Sequence, residues 1–465
     1  MYTGRDRLRP ALMTDLYQLT MVAGYVLNRR EDLATFELFI RSLPARRSYF
    51  VAAGLEQVAE YLIHLRFDDK EVEFLRGLPV FSHLPDDFFD YLSGFRFEGD
   101  VWGVPEGTIV FPNEPLLQVR APLPQAQLVE TFLLSVIHFQ TLIATKASRV
   151  VQAAAGRGVI DFGTRRAHGP EAGVLAARAS FIGGCMGTSN VLSAKNFGIP
   201  VYGTTAHSWI LAFDSEPEAF QRYHAVFPDA TVLLVDTYDT MQGLRNSLPF
   251  GTKLKGVRLD SGDLLVLSRE ARRMLDQAGL GETRLLASGD LDEYKVHALV
   301  QAGAPIDLFG VGTEMVTSRD EPALGAVYKL VEREDVRHGI VYISKFSEDK
   351  ETYPGRKQVW RYTDGQGAYV GDEIALAEEE PARPCSSLLI PILERGELRY
   401  PFPPLGDIRE HGLRERSRLP VRYQRLESAD RYPVAWSSAL EQRFAAMRSD
   451  AQGKSRSTLP EIECL

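Results

Sequence analysis

The chain has 465 residues, of which 45% are hydrophobic and 25% are charged. This length predicts two or three domains, and the composition is typical of a folded globular protein rather than a disordered one. The net charge of −9 argues against a nucleic-acid partner, since proteins of that class concentrate positive charge.

Targeting and redox signals both indicate a cytoplasmic protein. Residues 1–15 carry charges where a signal peptide needs an apolar run, and the most apolar long stretch, 128–151, contains Glu130, Lys146 and Arg149. That stretch predicts a buried or amphipathic helix and no membrane association. The three cysteines, Cys185, Cys385 and Cys464, are far apart, which excludes a four-cysteine zinc site and a disulfide framework.

Residues 1–150 mix helical and strand patterns. Residues 9–27 have helical spacing, residues 35–41 alternate like a strand, and 103–122 holds short β-type runs between turn residues. The helix 128–151 then leads into a different kind of segment. We expect 1–150 to form the helical and β-rich first part of the chain.

Residues 151–335 contain six or seven short apolar runs, each ending in a polar or glycine-rich cluster and followed by a helical stretch. This alternation predicts parallel β-α units with right-handed crossovers. An α/β barrel and an open doubly wound sheet both fit it. In either fold the chemistry lies at the carboxyl ends of the strands, where these polar clusters fall.

Residues 336–465 return to β-type runs and turns, for example between 340 and 400. We expect this part to complete a discontinuous β-rich domain with residues 1–150. The tail after Ser449 is polar and is predicted to be mobile.

Two strand-end clusters are candidates for phosphate binding. The P-loop and the G-x-G-x-x-G fingerprint are both absent, so a phosphate would need other loops. The runs Ser288-Gly289-Asp290 and Gly310-Val311-Gly312-Thr313 each follow an apolar strand, and glycine lets backbone N–H groups approach a phosphate closely. Ordinary βα turns are the alternative interpretation.

Charged residues at other strand ends are candidates for substrate binding. Arg258 and Asp260 alternate along one strand end, so both point to the same face, where they suit a pyrophosphate and ribose hydroxyls or a magnesium ion. A surface ion pair is the alternative. Arg165 follows Phe162 closely and could be a solvated turn residue or a ligand of an anion.

His207 lies in the run Gly203-Thr204-Thr205-Ala206-His207-Ser208 at another strand end. A single histidine is more often structural than catalytic. The small residues on both sides keep it accessible, which favours a role as a nucleophile.

Six segments occur in a fixed order along the chain, namely TDLYQLTM from Thr14, DFGTRR from Asp161, GTSN from Gly187, GTTAHS from Gly203, VRLDSGD from Val257 and FGVGT from Phe309. With this ordered set the chain resembles the nicotinate phosphoribosyltransferases over nearly its full length. The resemblance implies an irregular α/β barrel with a split β-rich domain, and a homodimer with shared active sites. It implies the ATP-coupled transfer of phosphoribosyl from phosphoribosyl pyrophosphate to nicotinate, with Mg²⁺ as cofactor.

The resemblance also implies roles for individual residues. His207 is similar to the histidine that ATP phosphorylates, and Asp260 to the residue that holds the ribose hydroxyls. Nicotinate and the adjoining phosphoribosyl group are expected to contact Tyr17 of the partner subunit, Phe162, Arg165, Ser189, Thr204 and Arg258. The 5′-phosphate is expected to lie against Gly289, Asp290, Gly312 and Thr313. Asp236 is a further candidate, for ordering magnesium or water.

Substrate choice is expected to depend on Ser189. Relatives that use nicotinamide have Asp at this position, where a carboxylate would accept a hydrogen bond from the amide and repel the acid. Ser189 therefore favours nicotinate. A nicotinamide or quinolinate phosphoribosyltransferase is the nearest alternative, and a non-catalytic nucleotide-binding relative is another. The chain departs from some relatives in lacking a C-terminal cysteine cluster for zinc.

Overall fold

The structure is a computed structural model that describes residues 11–30, 32–335, 339–347 and 350–457. The tail that the sequence predicts to be mobile begins inside the last helix, and its part from residue 458 onward lies outside the described residues. None of the described helices is both long and apolar enough to cross a membrane.

The helices of the described chain, in order, are α1 (Leu16–Leu27), α2 (Leu55–His64), α3 (Asp69–Arg76), α4 (Asp86–Ser93), α5 (Leu123–Leu128), α6 (Glu130–Ala153), α7 (Pro170–Ile182), α8 (Val191–Phe197), α9 (His207–Leu211), α10 (Glu216–Val226), α11 (Thr240–Ser247), α12 (Leu264–Gln277), α13 (Glu293–Gln301), α14 (Thr313–Val316), α15 (Leu405–Arg418) and α16 (Ser438–Ser457). Short 3₁₀ turns occur at Thr164–Arg166, Leu248–Lys253 and Val421–Tyr423.

The strands of the described chain are β1 (Leu33–Ile40), β2 (Phe50–Val51), β3 (Asp100–Gly103), β4 (Ile109–Val110), β5 (Pro115–Pro122), β6 (Gly158–Asp161), β7 (Gly187–Thr188), β8 (Thr231–Leu234), β9 (Leu254–Leu259), β10 (Arg284–Ala287), β11 (Leu308–Val311), β12 (Ala326–Asp335), β13 (Gly339–Tyr342), β14 (Lys357–Thr363), β15 (Tyr369–Leu376), β16 (Ser386–Ser387), β17 (Ile390–Glu394), β18 (Glu397–Leu398) and β19 (Val434–Trp436).

The middle of the chain forms a six-stranded parallel sheet in the order β7-β6-β11-β10-β9-β8. The first strand of the series, β6, lies beside the last, β11, which is barrel order and not the order of an open doubly wound sheet. Val201 extends the far edge by a parallel bridge to Thr188. Among the described residues no pairing joins Val201 to β8, so the predicted irregular α/β barrel is confirmed as one with an open seam.

The helices around this sheet begin where the sequence supplies caps. The side chains of Asp239, Asp263 and Asp292 each accept hydrogen bonds from the first turn of α11, α12 and α13. An aspartate in this position satisfies backbone N–H groups that have no partner within the helix. Several acidic residues of the strand-end clusters therefore act as N-terminal caps of helices.

The predicted second, β-rich part is confirmed and combines both ends of the chain. Its main sheet is antiparallel throughout, in the order β13-β12-β1-β5-β3-β17-β18. β12 lies at the end of the segment 151–335, yet it pairs with β1 along that whole strand, from Leu33 opposite Glu334 to Ile40 opposite Ala326. A four-stranded sheet, β16-β14-β15-β19, shares the same apolar core.

A buried guanidinium ties the four-stranded sheet to the rest of the protein. Arg361 on β14 is only 2% exposed and forms a two-pronged ion pair with Asp372 on β15. Its remaining nitrogen donates to the carbonyl oxygen of Ile109 at 2.7 Å and to Glu415 of α15 at 3.3 Å. Three separate segments thus converge on one cation.

We predict that Arg361→Met lowers the free energy of unfolding by about 3–5 kcal/mol, because it leaves buried carboxylates without their cation. Urea unfolding measures the change. The matched control is Arg399→Met, whose guanidinium is 47% exposed and pairs with Glu394 on the surface. This control should lose at most about 1 kcal/mol. Equal losses in the two variants would contradict the structural role of Arg361.

Candidate active site

The carboxyl edge of the parallel sheet gathers most of the residues that the sequence selected. Thr204 and His207 follow the Val201 bridge, Arg258 and Asp260 end β9, and Gly289 follows β10. Because these strands run parallel in one barrel, their carboxyl ends meet at one rim.

Arg258 is the centre of this group. Its Nε donates to Ser288 Oγ at 2.8 Å, one terminal nitrogen donates to Thr204 Oγ1 at 3.0 Å, and the other donates to Asp260 Oδ1 at 2.7 Å. The guanidinium carbon also lies 5.6 Å from the centroid of the Phe162 ring. The side chain is 13% exposed, so one cation connects four strand ends at the edge of a cleft.

Asp260 is held as a carboxylate. Burial by itself raises its pKa, but the hydrogen bond from Ser288 and the charge of Arg258 outweigh burial, and the pKa lies below its usual value. The Ser288 hydroxyl donates to Asp260 Oδ1 and accepts from Arg258. The sequence placed Ser288 in a phosphate loop and gave it no role of its own. The sequence signal that could have identified Ser288 is a small hydroxyl residue directly after a buried strand.

His207 pairs with a buried carboxylate. Its Nε2 lies 3.3 Å from Asp236 Oδ1, and the His207 side chain is 43% exposed while that of Asp236 is 1% exposed. The other Asp236 oxygen accepts from the Asp260 backbone N–H at 3.1 Å and from Ser261 Oγ at 2.6 Å. Asp236 thus orients the imidazole and links it to the Arg258 group.

Two glycines allow the close approach of neighbouring strand ends. Gly289 has φ of +97°, and a Cβ there would lie 2.1 Å from the Asp260 carbonyl oxygen. A Cβ on Gly310 would lie 2.5 Å from the Phe162 ring. Only glycine fits both constraints at position 289. Gly312 and Thr313 lie at the start of α14, beside the Phe162 backbone.

Asp161 is a buried carboxylate whose own role the sequence did not single out. It is fully buried at the end of β6, where it accepts from Gly163 N–H and from the Thr188 hydroxyl, both within 2.8 Å. Burial raises its pKa to about 6, although these two hydrogen bonds oppose the rise. Its backbone carbonyl accepts from Ser189 N–H, so Asp161 positions both Phe162 and Ser189.

Some predicted residues are not joined to the Arg258 group. Tyr17 is on α1, which packs against α4 and α5, and its side chain is half exposed. None of the hydrogen bonds or ion pairs between described residues connects Tyr17 or Arg165 to the rim. Ser189 is half-buried beside β6, and Asp290, with φ of +46°, is exposed on its loop. These positions are open to a bound molecule or to a second subunit.

No group of three or more histidine, cysteine, aspartate or glutamate residues within the described part of the chain could hold a metal ion. Both Asp236 oxygens already accept hydrogen bonds from protein groups. The donor set therefore does not form a magnesium site built by the protein alone.

Three family models match the chain in order. They describe the N-terminal domain of nicotinate phosphoribosyltransferase over residues 12–138, the nicotinate phosphoribosyltransferase family over 158–336 and the C-terminal domain over 382–443. A nicotinate phosphoribosyltransferase of Mycobacterium tuberculosis is 46% identical over 446 residues, covering 94% of each chain. The chain belongs to the nicotinate phosphoribosyltransferase family. The enzyme of that name from Bacillus subtilis is 40% identical over 467 residues, covering 93% of this chain and 94% of the relative.

Solved structures of similar proteins agree with this family assignment. The human nicotinic acid phosphoribosyltransferase superimposes with a TM-score of 0.80 at 30% identity and covers 93% of this chain and 99% of its own. A nicotinate-nucleotide pyrophosphorylase from Pyrococcus furiosus gives a TM-score of 0.72 at 28% identity, covering 90% of this chain and 97% of its own. The chain shares with these proteins its combination of a parallel-sheet α/β domain and a β-rich domain.

The raised pKa of Asp161 predicts a pH-dependent stability. The folded protein holds this proton more tightly than the unfolded chain does, so the stability that protonation contributes is complete below the unfolded pKa of 3.8 and is lost as pH rises through about 6. A pKa rise of this size corresponds to about 3 kcal/mol. Asp161→Asn should avoid the loss, because its amide oxygen can still accept from Gly163 N–H while its amide nitrogen donates to the Thr188 hydroxyl.

We therefore expect the stability of Asp161→Asn relative to the wild type to increase by about 3 kcal/mol between about pH 3 and about pH 7. Urea unfolding at several pH values measures this difference. Asp229→Asn, at an exposed position, is the control and should show no such trend. A pH-independent difference for Asp161→Asn would contradict the raised pKa.

Proposed function

We propose that this chain transfers the phosphoribosyl group of phosphoribosyl pyrophosphate to nicotinate, giving nicotinate mononucleotide and pyrophosphate, and that ATP hydrolysis is coupled to the transfer. The observation that carries this proposal is the joined group of Arg258, Asp260, Ser288 and Thr204 at the rim of the barrel. It occurs in a chain that is 46% identical to a nicotinate phosphoribosyltransferase over 94% of its length. In this role the enzyme begins NAD salvage from nicotinic acid.

The proposed reaction depends on orienting the substrates and on stabilising charge in the transition state more than on proton transfer. The pyridine nitrogen has a free lone pair, so it attacks C1 of the ribose without a general base while the bond from C1 to pyrophosphate breaks. Positive charge grows on the ribose during this step. The Asp260 carboxylate, kept ionised by Ser288 and Arg258, holds the ribose hydroxyls and stabilises that charge.

The ring and the 5′-phosphate have separate places at the rim. Phe162, whose ring lies beside Gly310 and below Arg258, offers one face for stacking the pyridine. The 5′-phosphate fits the backbone at Gly289–Asp290 and Gly312–Thr313, since Gly289 brings its loop against the Asp260 carbonyl. Arg165 and Thr204 are proposed to contact the nicotinate carboxylate and the phosphoribosyl group.

The exposed position of Tyr17 supports a shared active site. The residue is on the surface of α1, where neighbouring Met13 and Leu16 are also about half exposed. A second copy of the chain that covered this patch could place Tyr17 over the open face of the pyridine. We therefore propose a homodimer in which each site uses Tyr17 of the partner subunit.

His207 is proposed as the residue that ATP phosphorylates. With Nε2 directed at Asp236, its Nδ1 carries the lone pair that attacks the γ-phosphorus of ATP, and ADP leaves. The new phosphoryl group adds negative charge beside Asp236 and Asp260, and its later hydrolysis releases phosphate and restores the imidazole. Adding this negative charge beside the cleft and removing it again in each turnover can favour product formation.

Magnesium, if it accompanies the substrates, would be held mainly by their pyrophosphate oxygens and by water. Bound in that way, it would neutralise charge on the leaving pyrophosphate. The enzyme is proposed to work in the cytoplasm, in keeping with the three separated cysteines.

We predict that His207→Ala abolishes the stimulation by ATP while some ATP-independent transfer persists, because the pyridine attack needs no imidazole. Initial rates with and without ATP, together with the final ratio of product to nicotinate, measure the effect. His64→Ala, an exposed histidine on α2, is the control and should keep full stimulation. If the His207 variant still responds to ATP as the wild type does, the assignment is wrong.

We predict that Ser189→Asp lowers kcat/KM for nicotinate by about tenfold or more, since a carboxylate placed there repels the substrate carboxylate. The Ser189 N–H donates to the Asp161 carbonyl oxygen, so the added carboxylate would also lie near a second acidic residue. Ser189→Asn is the matched neutral control and should lose less. Equal losses in the two variants would assign the effect to size and not to charge.

Assaying nicotinate, nicotinamide and quinolinate side by side, with and without ATP, distinguishes this function from the related ones. Turnover of nicotinate alone, increased by ATP, supports the proposal. Binding of phosphoribosyl pyrophosphate without turnover of any pyridine would instead indicate a non-catalytic relative.

A further inference from the structure

A cavity lined by several arginines lies away from the Arg258 group. It has a volume of about 530 Å³, and its lining includes four arginines, Tyr294, Ser48 and the loop 425–429. We call it the arginine cavity, and its four arginines are Arg46, Arg47, Arg149 and Arg425. Cavities that hold small molecules have volumes of about 300–1,000 Å³. None of the residues assigned to the catalytic rim lines this cavity.

Two of the four arginines are held in place by ion pairs with buried or nearly buried carboxylates. Arg47 pairs with Asp320 at 2.8 Å, and Arg149 pairs with Glu293 at 3.1 Å. Lys146 contacts both of these carboxylates, at 2.7 Å and 2.5 Å. Three buried cations therefore share two carboxylates, which makes the floor of the cavity electropositive in a protein whose net charge is negative.

The other two arginines remain available to a ligand. Arg46 and Arg425 are exposed, and neither forms an ion pair with a described residue. The Arg46 guanidinium lies 5.8 Å from the centroid of the Tyr294 ring, which orients it along the cavity wall. Glu427 is the one carboxylate in the lining. The charge of the lining thus favours an anion.

A buried hydroxyl provides an independent indication of a ligand. Ser48 lines the cavity and is 5% exposed, yet its Oγ has no hydrogen-bond partner, and the Nε of Arg47 also has none. Buried polar groups are nearly always hydrogen-bonded, because an unpaired one destabilises the folded protein. A phosphate oxygen that reached the floor would satisfy the hydroxyl.

We propose that the arginine cavity binds a phosphate-bearing anion at a site separate from the catalytic cleft. Arg46 and Arg425 would close on the phosphate from the rim, and Ser48 would donate from the floor. The cavity also touches α13 through Tyr294, and α13 begins at Glu293, three residues after Asp290 of the Gly289–Asp290 loop. An anion bound here can therefore influence the position of that loop.

The test is calorimetric titration of the full-length protein with inorganic phosphate, pyrophosphate and ADP, each in a separate experiment at low ionic strength. We expect a binding event that persists in Arg258→Ala, where the catalytic rim is altered. The same event should weaken at least about tenfold in the double variant Arg46→Ala/Arg425→Ala, since two charge-assisted contacts are lost. Ser48→Ala should weaken it by a smaller factor.

The control is Arg422→Ala/Arg431→Ala, which removes two exposed arginines outside the lining. If both double variants weaken binding equally, the attraction is diffuse and the proposal is wrong. It is also wrong if Arg258→Ala removes all binding, or if none of the three probes binds. Binding of all three probes identifies the phosphate group as the feature recognised, whereas binding of ADP alone identifies a nucleotide. The titration needs no turnover, so it can succeed even if the proposed reaction fails.

Discussion

The candidate active site depends on the ion pair between Arg258 and Asp260. The two side chains leave the same strand on the same face, and Ser288 closes the pair by bonding to both of them. Through Thr204 and the Phe162 ring the same guanidinium reaches two further strand ends. A mostly buried cation and a carboxylate that stays ionised together prepare a polar rim before any substrate arrives, so little reorganisation is needed when charge develops there.

Much of this arrangement could be predicted from the sequence because parallel strands impose it. Short apolar runs that end in Gly203–His207, Arg258–Asp260 and Ser288–Asp290 converge because all three are parallel strands whose carboxyl ends lie at one rim of the barrel, as the hydrogen bond from Arg258 to Thr204 shows. The order of the strands could not be read from the alternation, since a barrel and a doubly wound sheet share it. The pairing of β6 with β11 decides the question.

The remaining details depend on tertiary contacts that leave little trace in local sequence. Asp263 and Asp292 follow strands as Asp260 does, but in the structure their side chains cap α12 and α13. Asp161 gives no local sign that it is buried, yet burial raises its pKa against the opposing hydrogen bonds from Thr188 and Gly163. The sequence offers a carboxylate in each case, and only the environment distinguishes a cap, a buried acid and a partner for a substrate.

The strand order of the β-rich part has a consequence for how the protein is made. β1, β5 and β3 occupy the middle of the seven-stranded sheet, while β12 and β17, on either side of them, are more than two hundred residues later in the chain. On the ribosome the early strands emerge with unpaired edges and stay so while the whole barrel is synthesised. Folding of this part is thus a late, long-range event, and it is the step at which a chaperone would be of most use.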